Sequence, residues 1–285
     1  MKDLLSGEKR ALDGSTEMSA VQYTDEIVRS GFPAIRELPD RARRAQLDGY
    51  LAAIAEHDFP EQGRLVRRPG TLRAWLTAYA AATATTASYN AILRAAAPGH
   101  GEQPAKTTTT AYRDVLGRIW LLDPVPGWLP VRHQFTRLAQ APKHHLADPA
   151  LAARLLGATP QSLLSGQETG PSIARDGTLL GRLFESLLAL IVRVYAQAAE
   201  AGVYHLRTVN GDHEADFIIE RDDHRVVALE ARLSANVTDQ DVTHLRWLRR
   251  EIGDDLLDAA VIYTGRHAYR RADGIAVIPA ALLGP

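Results

Sequence analysis

The spacing of apolar residues changes character at Thr178, and that change limits the folds open to this chain more than any other feature. Over residues 179–201, Leu183, Leu187, Leu190 and Val194 recur at helical spacing, which predicts one long helix. Short β-rich runs follow at 204–209, 214–220, 225–234, 259–264 and 275–279. One amphipathic helix over 238–252, with Val242, Leu245 and Leu248 on its apolar side, interrupts them. Helix, three strands, helix, two strands is the order of an α/β domain with a mixed sheet.

The first half reads differently. Residues 1–30 are polar and mixed, and we expect a flexible or remnant N-terminal segment there. Gly31-Phe32-Pro33 is a turn, and Asp40 is a candidate helix cap before Leu47, Leu51 and Ile54. Pro69-Gly70-Thr71 opens a second helix with Leu72, Trp75, Leu76 and Tyr79. Ser88 starts a short helix, and Lys106-Thr107-Thr108-Thr109-Thr110 leads into another with Tyr112, Val115, Leu116 and Ile119. The apolar, proline-broken run from Trp120 to Trp128 then resembles a hairpin of edge strands. Helices followed by a hairpin are the plan of a winged helix-turn-helix, with Lys106 and the threonines at the start of its recognition helix. The expected architecture is therefore multidomain α+β. A mostly helical, winged-helix-like region spans 31–160, and an α/β domain with a mixed sheet spans 175–285.

Charge is unevenly spread. Between Gln62 and Lys143 eleven basic residues face three acidic ones, a net of +8, so the remainder carries −9 to give the chain's −1. A basic module in an acidic protein is a footprint that DNA or an acidic protein surface could use, and a solvated face is the plainer alternative. Arg67, Arg68, Lys106, Thr107, Thr109, Arg113 and Arg132 are the candidate phosphate contacts. The sequence has no cysteine, which excludes disulfides, cysteine-ligated metal and thiol catalysis. Its longest apolar stretch, 187–192, is stopped by Arg193, far short of the about 18 residues a membrane span needs. The start, Met1-Lys2-Asp3-Leu4-Leu5, lacks a long apolar run, so a cytoplasmic protein without membrane partners is expected.

Chemistry concentrates in the second half. On adjacent strands, Asp216 in His213-Glu214-Ala215-Asp216 and Glu230 in Leu229-Glu230-Ala231-Arg232 can converge if residues 221–224 turn a hairpin. With Glu185 from the preceding helix they form an all-oxygen pocket for Mg²⁺ or Mn²⁺, with Asp216 and Glu230 as ligands. Each has a mundane alternative. Asp216 and Glu230 could pair with Arg232 and Arg207, and Glu185 with Arg182. His213 beside Glu214, and His144-His145 with Asp148, are weaker metal candidates, and Asp148-Pro149 reads better as a helix cap followed by proline.

An Asp followed by Glu-x-Lys across a hairpin, with a Glu on the preceding helix, resembles the PD-(D/E)XK nuclease fold. The stretches Gly31-Phe32-Pro33, Asp58, Pro142-Lys143-His144-His145-Leu146-Ala147-Asp148-Pro149, Gly181-Arg182-Leu183-Phe184-Glu185, Glu214-Ala215-Asp216-Phe217 and Leu229-Glu230-Ala231-Arg232 resemble a wider family over roughly residues 30–280. That family is the bacterial AAA-type ATPases carrying domain of unknown function 4143, in the part following the ATPase. The resemblance implies a winged helix, then a nuclease-like domain with Glu185, Asp216, Glu230 and Arg232 as its catalytic set. Two departures stand out. The only lysines are Lys2, Lys9, Lys106 and Lys143, none in a glycine-rich Gly-Lys-Ser/Thr loop, so no ATP is expected to bind. Arg232 replaces the Glu-x-Lys lysine, and a broad guanidinium is a poor substitute for a compact ammonium beside a nucleophilic water. The expected function is DNA binding with doubtful nuclease activity. The alternative is a non-catalytic interaction module, as a homo-oligomer or with an ATPase or toxin-like partner.

Overall fold

The computed structural model describes residues 1–96, 105–130, 141–166 and 178–285. The chain divides into two compact units that are not consecutive in sequence. A sheet unit takes Met1–Tyr23, Val125–Pro142 and Leu187–Pro285, and a helical unit takes Thr24–Pro124 and Lys143–Ser186. Among the described residues no helix is long and apolar enough to cross a membrane.

Residues 1–30, expected to be loosely held, carry two helices, α1 (Lys2–Ser6) and α2 (Ala20–Arg29). Leu4 and Leu5 are buried, and α1 ends at Gly7, whose φ of 76° is the left-handed stop that glycine supplies without strain. The Met1 amino group donates to the Gly284 carbonyl at 2.5 Å. The Thr16 N–H donates to the Arg266 carbonyl at 2.9 Å, and the Ala281 N–H to the Tyr23 hydroxyl at 2.9 Å. All these partners lie at the far end of the chain, beyond the reach of any local sequence pattern.

The helical unit continues from α2 into α3 (Pro33–Arg36) and α4 (Asp40–Ala53). One π-helical turn, Ile54–Asp58, joins α4 to α5 (Phe59–Glu61). Asp40 is the first residue of α4 rather than its cap, and it pairs with Arg43 at 2.7 Å. α6 (Pro69–Ala81) begins on proline, whose missing N–H costs nothing at a helix start. α7 (Tyr89–Ala95) is capped by the Ser88 hydroxyl, which accepts the Ala91 N–H at 3.2 Å. α8 (Lys106–Arg118), α9 (Pro149–Leu155) and α10 (Pro160–Leu164) complete the unit. Its core is aromatic. Trp75 stacks on Tyr79 at 5.4 Å between ring centres, and Tyr112 of α8 meets both Trp75 and Phe59 edge-on. The hairpin expected over 120–128 is not formed. This run makes only isolated bridges, such as Leu122 with Leu146, because Leu121, Leu122, Val125 and Trp128 are each buried separately as anchors.

Residues from α11 (Leu179–Gln197) fall in both units. The sheet has six strands, β1 (Gly202–Arg207), β2 (Glu214–Glu220), β3 (Val226–Arg232), β4 (Leu256–Tyr263), β5 (Tyr269–Arg270) and β6 (Ala276–Pro279), in the order β1-β2-β3-β4-β6-β5. β1, β2 and β3 form an antiparallel meander, β3–β4 and β4–β6 are parallel, and β5 runs antiparallel to β6. α12 (Thr243–Ile252) supplies the crossover that the parallel β3–β4 pair requires. α1 packs on β3 and β4, and α12 on β2, β3 and β4. Under α12, Leu245, Leu248 and Ile252 meet Ile218, Ala228, Val261 and Val277, all nearly fully buried. Each large side chain of this set contributes about 1.5–3 kcal/mol by leaving water. That packing fixes β2 and β3 beneath α12, where the carboxylates lie. The fold is α+β, a helical first half followed by a mixed sheet.

Candidate functional site

Two charged constellations stand out, one in each unit. In the helical unit a cavity of about 1030 Å³ opens between the loop before α6 and the first turns of α8, lined by Arg64, Arg67, Arg68, Thr107, Thr108 and Tyr112 among others. A smaller one of about 370 Å³ shares Arg64 and Thr107 and adds Lys106, Thr110 and Asp114. The aromatic core explains the rigid wall: Phe59 and Tyr112 line the larger cavity while packing edge-on against each other. Arg64, Arg67 and Lys106 are exposed and form no ion pair among the described residues. Ala105 offers no side-chain cap to α8, so no N-cap side chain meets the amides of its first turn. Free amides and a positive dipole end beside unneutralised cations suit a phosphate.

The candidate phosphate contacts sort clearly against this geometry. Arg67, Arg68, Lys106 and Thr107 line the cavities. Thr109 does not, since it is buried and its hydroxyl donates to the Lys106 carbonyl at 3.0 Å. Arg113 lies over the Tyr89 ring, 4.0 Å from its centre. Arg132 lies outside the described residues. Arg64 was not among the candidates, although its position three residues before Arg67 in the same loop is the signal that could have found it. Trp120 is four-fifths exposed, whereas Trp128 and Tyr112 are core.

In the sheet unit β2 and β3 bring Asp216 and Glu230 to one face, as a hairpin through the 221–225 turn dictates. The ladder stops at Phe217–Leu229, and beyond it the Asp216 carboxylate accepts the Ala231 N–H at 2.8 Å. Arg232 fills the space between the acids. Its guanidinium lies 3.2 Å from Glu230, 3.8 Å from Asp216 and 3.1 Å from Asp241, just before α12. Burial opposes the charge on Arg232, but Glu230, Asp216 and Asp241 outweigh it and raise its pKa. Burial likewise acts to raise Asp241, yet hydrogen bonds from Thr238 and the charge of Arg232 hold it below the usual carboxylate range. Glu214 faces Arg207 at 2.9 Å.

Glu185, expected to complete a metal pocket, sits in the helical unit 2.9 Å from Lys143, whose side chain is 1% exposed. Arg182 instead donates to the Ala81 carbonyl at 2.9 Å. Asp148 acts as a cap: one oxygen accepts the Ala150 N–H at 2.8 Å, the other the Ser30 hydroxyl and Gly31 N–H, both at 2.7 Å. His144, buried between Tyr79 and Tyr89, bonds the Ala87 carbonyl through Nε2 at 2.7 Å. Among the described residues no group of three or more His, Asp or Glu side chains is arranged to hold a metal ion. The carboxylates of the expected Mg²⁺ site are engaged by Arg232 and a backbone amide, so this donor set does not fit the ion.

Residues 180–283 match the family model Domain of unknown function (DUF4143). Residues 21–162 match a different one, Domain of unknown function (DUF8612). The resemblance expected across residues 30–280 is thus shown over residues 180–283, while residues 21–162 match a model with a different description. No curated protein and no solved structure matches the chain.

Proposed function

We propose that this protein binds DNA through the cationic groove of its helical unit, and that its nuclease-like sheet does not cut. The observation that carries the reading is the set of exposed cations Arg64, Arg67 and Lys106, without an ion pair among the described residues, around a helix start that lacks a side-chain cap. Hydroxyls of Thr107 and Thr108 line the same groove and can donate to phosphate oxygens. The absence of cleavage rests on Arg232. A guanidinium among Asp216, Glu230 and Asp241 supplies the positive charge that a divalent ion would bring, without a bound water to activate. We read residues 180–283 as the counterpart of a domain that follows an ATPase in its family, here without a nucleotide-binding loop. This reading goes with a cytoplasmic protein.

The test is fluorescence anisotropy with a labelled duplex across a salt series. Wild-type affinity should fall steeply with salt, because each neutralised phosphate releases counterions. Replacing Arg64, Arg67 and Lys106 together by glutamate should abolish saturable binding, and replacing them by alanine should lower the salt slope by about 3, one for each lost contact. Binding that ignores salt, or that survives the triple substitution, refutes the groove. Supercoiled DNA incubated with Mg²⁺ or Mn²⁺ should stay intact, and nicking that vanishes in Asp216→Ala would overturn the non-catalytic half of the reading.

A further inference from the structure

A second feature of the sheet unit is independent of the groove. His213, just before β2, and His244, in the first turn of α12, turn their Nδ1 atoms toward each other at 3.4 Å. That exceeds the roughly 2.7–3.2 Å of an ordinary N–H hydrogen bond. It equals the separation of two ligands on one tetrahedral ion, since nitrogens at about 2.0–2.1 Å from zinc lie about 3.3–3.4 Å apart. Both rings are held in place. His213 stacks on Trp247, with ring centres 4.1 Å apart and planes 8° from parallel. Its backbone is pinned by Thr208, whose hydroxyl accepts the His213 N–H at 3.0 Å and whose own N–H donates to the His213 carbonyl at 2.9 Å. His244 rides on α12, anchored by Leu245 and Leu248.

We infer that His213 and His244 form a two-histidine site for a borderline transition-metal ion such as Zn²⁺, Ni²⁺ or Cu²⁺, with water completing the coordination. Imidazole suits these ions, whereas Mg²⁺ prefers oxygen. Glu214 and Asp216 of β2, and Arg232 of β3, are the charged side chains that act on His244 besides His213. With no third His, Asp or Glu closing the set among the described residues, the site is an open one and its ion is exchangeable.

The full chain is titrated with ZnCl₂ and NiCl₂ by calorimetry, and with CuCl₂ by tryptophan fluorescence. The expected result is one saturable ion per chain with micromolar affinity, weakened at least tenfold in both His213→Ala and His244→Asn. Cu²⁺ should quench fluorescence in the wild type and much less in Trp247→Phe, which keeps both ligands and an aromatic ring beside His213. Circular dichroism establishes that each variant is folded. Should the histidine variants misfold, the quenching comparison with Trp247→Phe decides alone. No saturable binding, affinity unchanged in a folded histidine variant, or quenching unchanged in Trp247→Phe would overturn the site.

Discussion

In the helical unit Arg64, Arg67 and Lys106 stand exposed without an ion pair among the described residues, whereas in the sheet unit Arg232 gives its charge to Glu230, Asp216 and Asp241. The difference is one of surroundings, not of residue type. On the helical side the basic residues meet a helix start without a side-chain cap, and Arg64, Arg67 and Lys106 make no ion pair among the described residues. On the sheet side a buried carboxylate, Glu230, cannot stay ionised without a counter-charge, and Arg232 sits two residues along the same strand face to provide it. Cations left over by the fold are available to a ligand, and cations required by the fold are not. The same contrast separates Lys106, exposed at the groove, from Lys143, fully enclosed against Glu185.

The largest expected effect tests whether Glu185 belongs to structure or to chemistry. Glu185→Ala takes an ion-pair partner from the buried Lys143, and removing one member of such a pair costs about 3–5 kcal/mol. Replacing both partners, Lys143→Met with Glu185→Leu, should recover most of that loss, because the desolvation cost leaves with the charges. Chemical denaturation of the two variants beside the wild type measures it. If Glu185→Ala instead keeps wild-type stability while removing a metal-dependent nicking activity, Glu185 is a catalytic group and the contrast between the units collapses.

A smaller effect is expected at Arg232, which is one-third exposed and so partly screened. Arg232→Ala should destabilise the protein by about 2–3 kcal/mol, since Asp216, Glu230 and Asp241 then repel one another. Millimolar Mg²⁺ should raise the melting temperature of this variant and leave the wild type unmoved, the ion taking the place of the guanidinium. Equal stabilisation of both would mean that the wild-type carboxylates already admit a divalent ion beside Arg232.

Much of the sheet was legible in the sequence, because short apolar runs with β-branched residues between 202 and 232 are local signals. The convergence of Asp216 and Glu230 followed from the hairpin register alone. What fills the space between them did not, since Asp241 reaches Arg232 only once α12 packs on the sheet. The Lys143–Glu185 pair was hidden for the same reason, its members standing on different segments of the helical unit. The run from Trp120 to Trp128 misled because apolar residues broken by prolines have the composition of edge strands, yet its anchors are buried one by one without a ladder. β5, two residues long, carries too little pattern to be seen.

The smallest effect concerns acid. In the helical unit His144 is held neutral chiefly by burial, with the charge of Arg113 adding to it and the bond to the Ala87 carbonyl opposing it. In the sheet unit His244 is depressed by burial and by His213 and Arg232, while Glu214 and Asp216 pull the other way, and it is half-exposed. A histidine with a lowered folded pKa takes up protons more readily when unfolded. Its contribution is therefore complete above its ordinary value of about 6.5 and is lost as the pH falls below that toward and through the folded value. Stability should thus decline between about pH 7 and 5, before the carboxylates titrate. His144→Gln, which keeps a donor for Ala87, should flatten that decline more than His244→Gln does, because His144 lies deeper and has no carboxylate among the charges acting on it. Thermal melting of both variants across this pH range measures the ranking. If His244→Gln flattens the limb more, the acid-labile element lies in the sheet unit, and the helical groove is the more robust of the two regions at low pH.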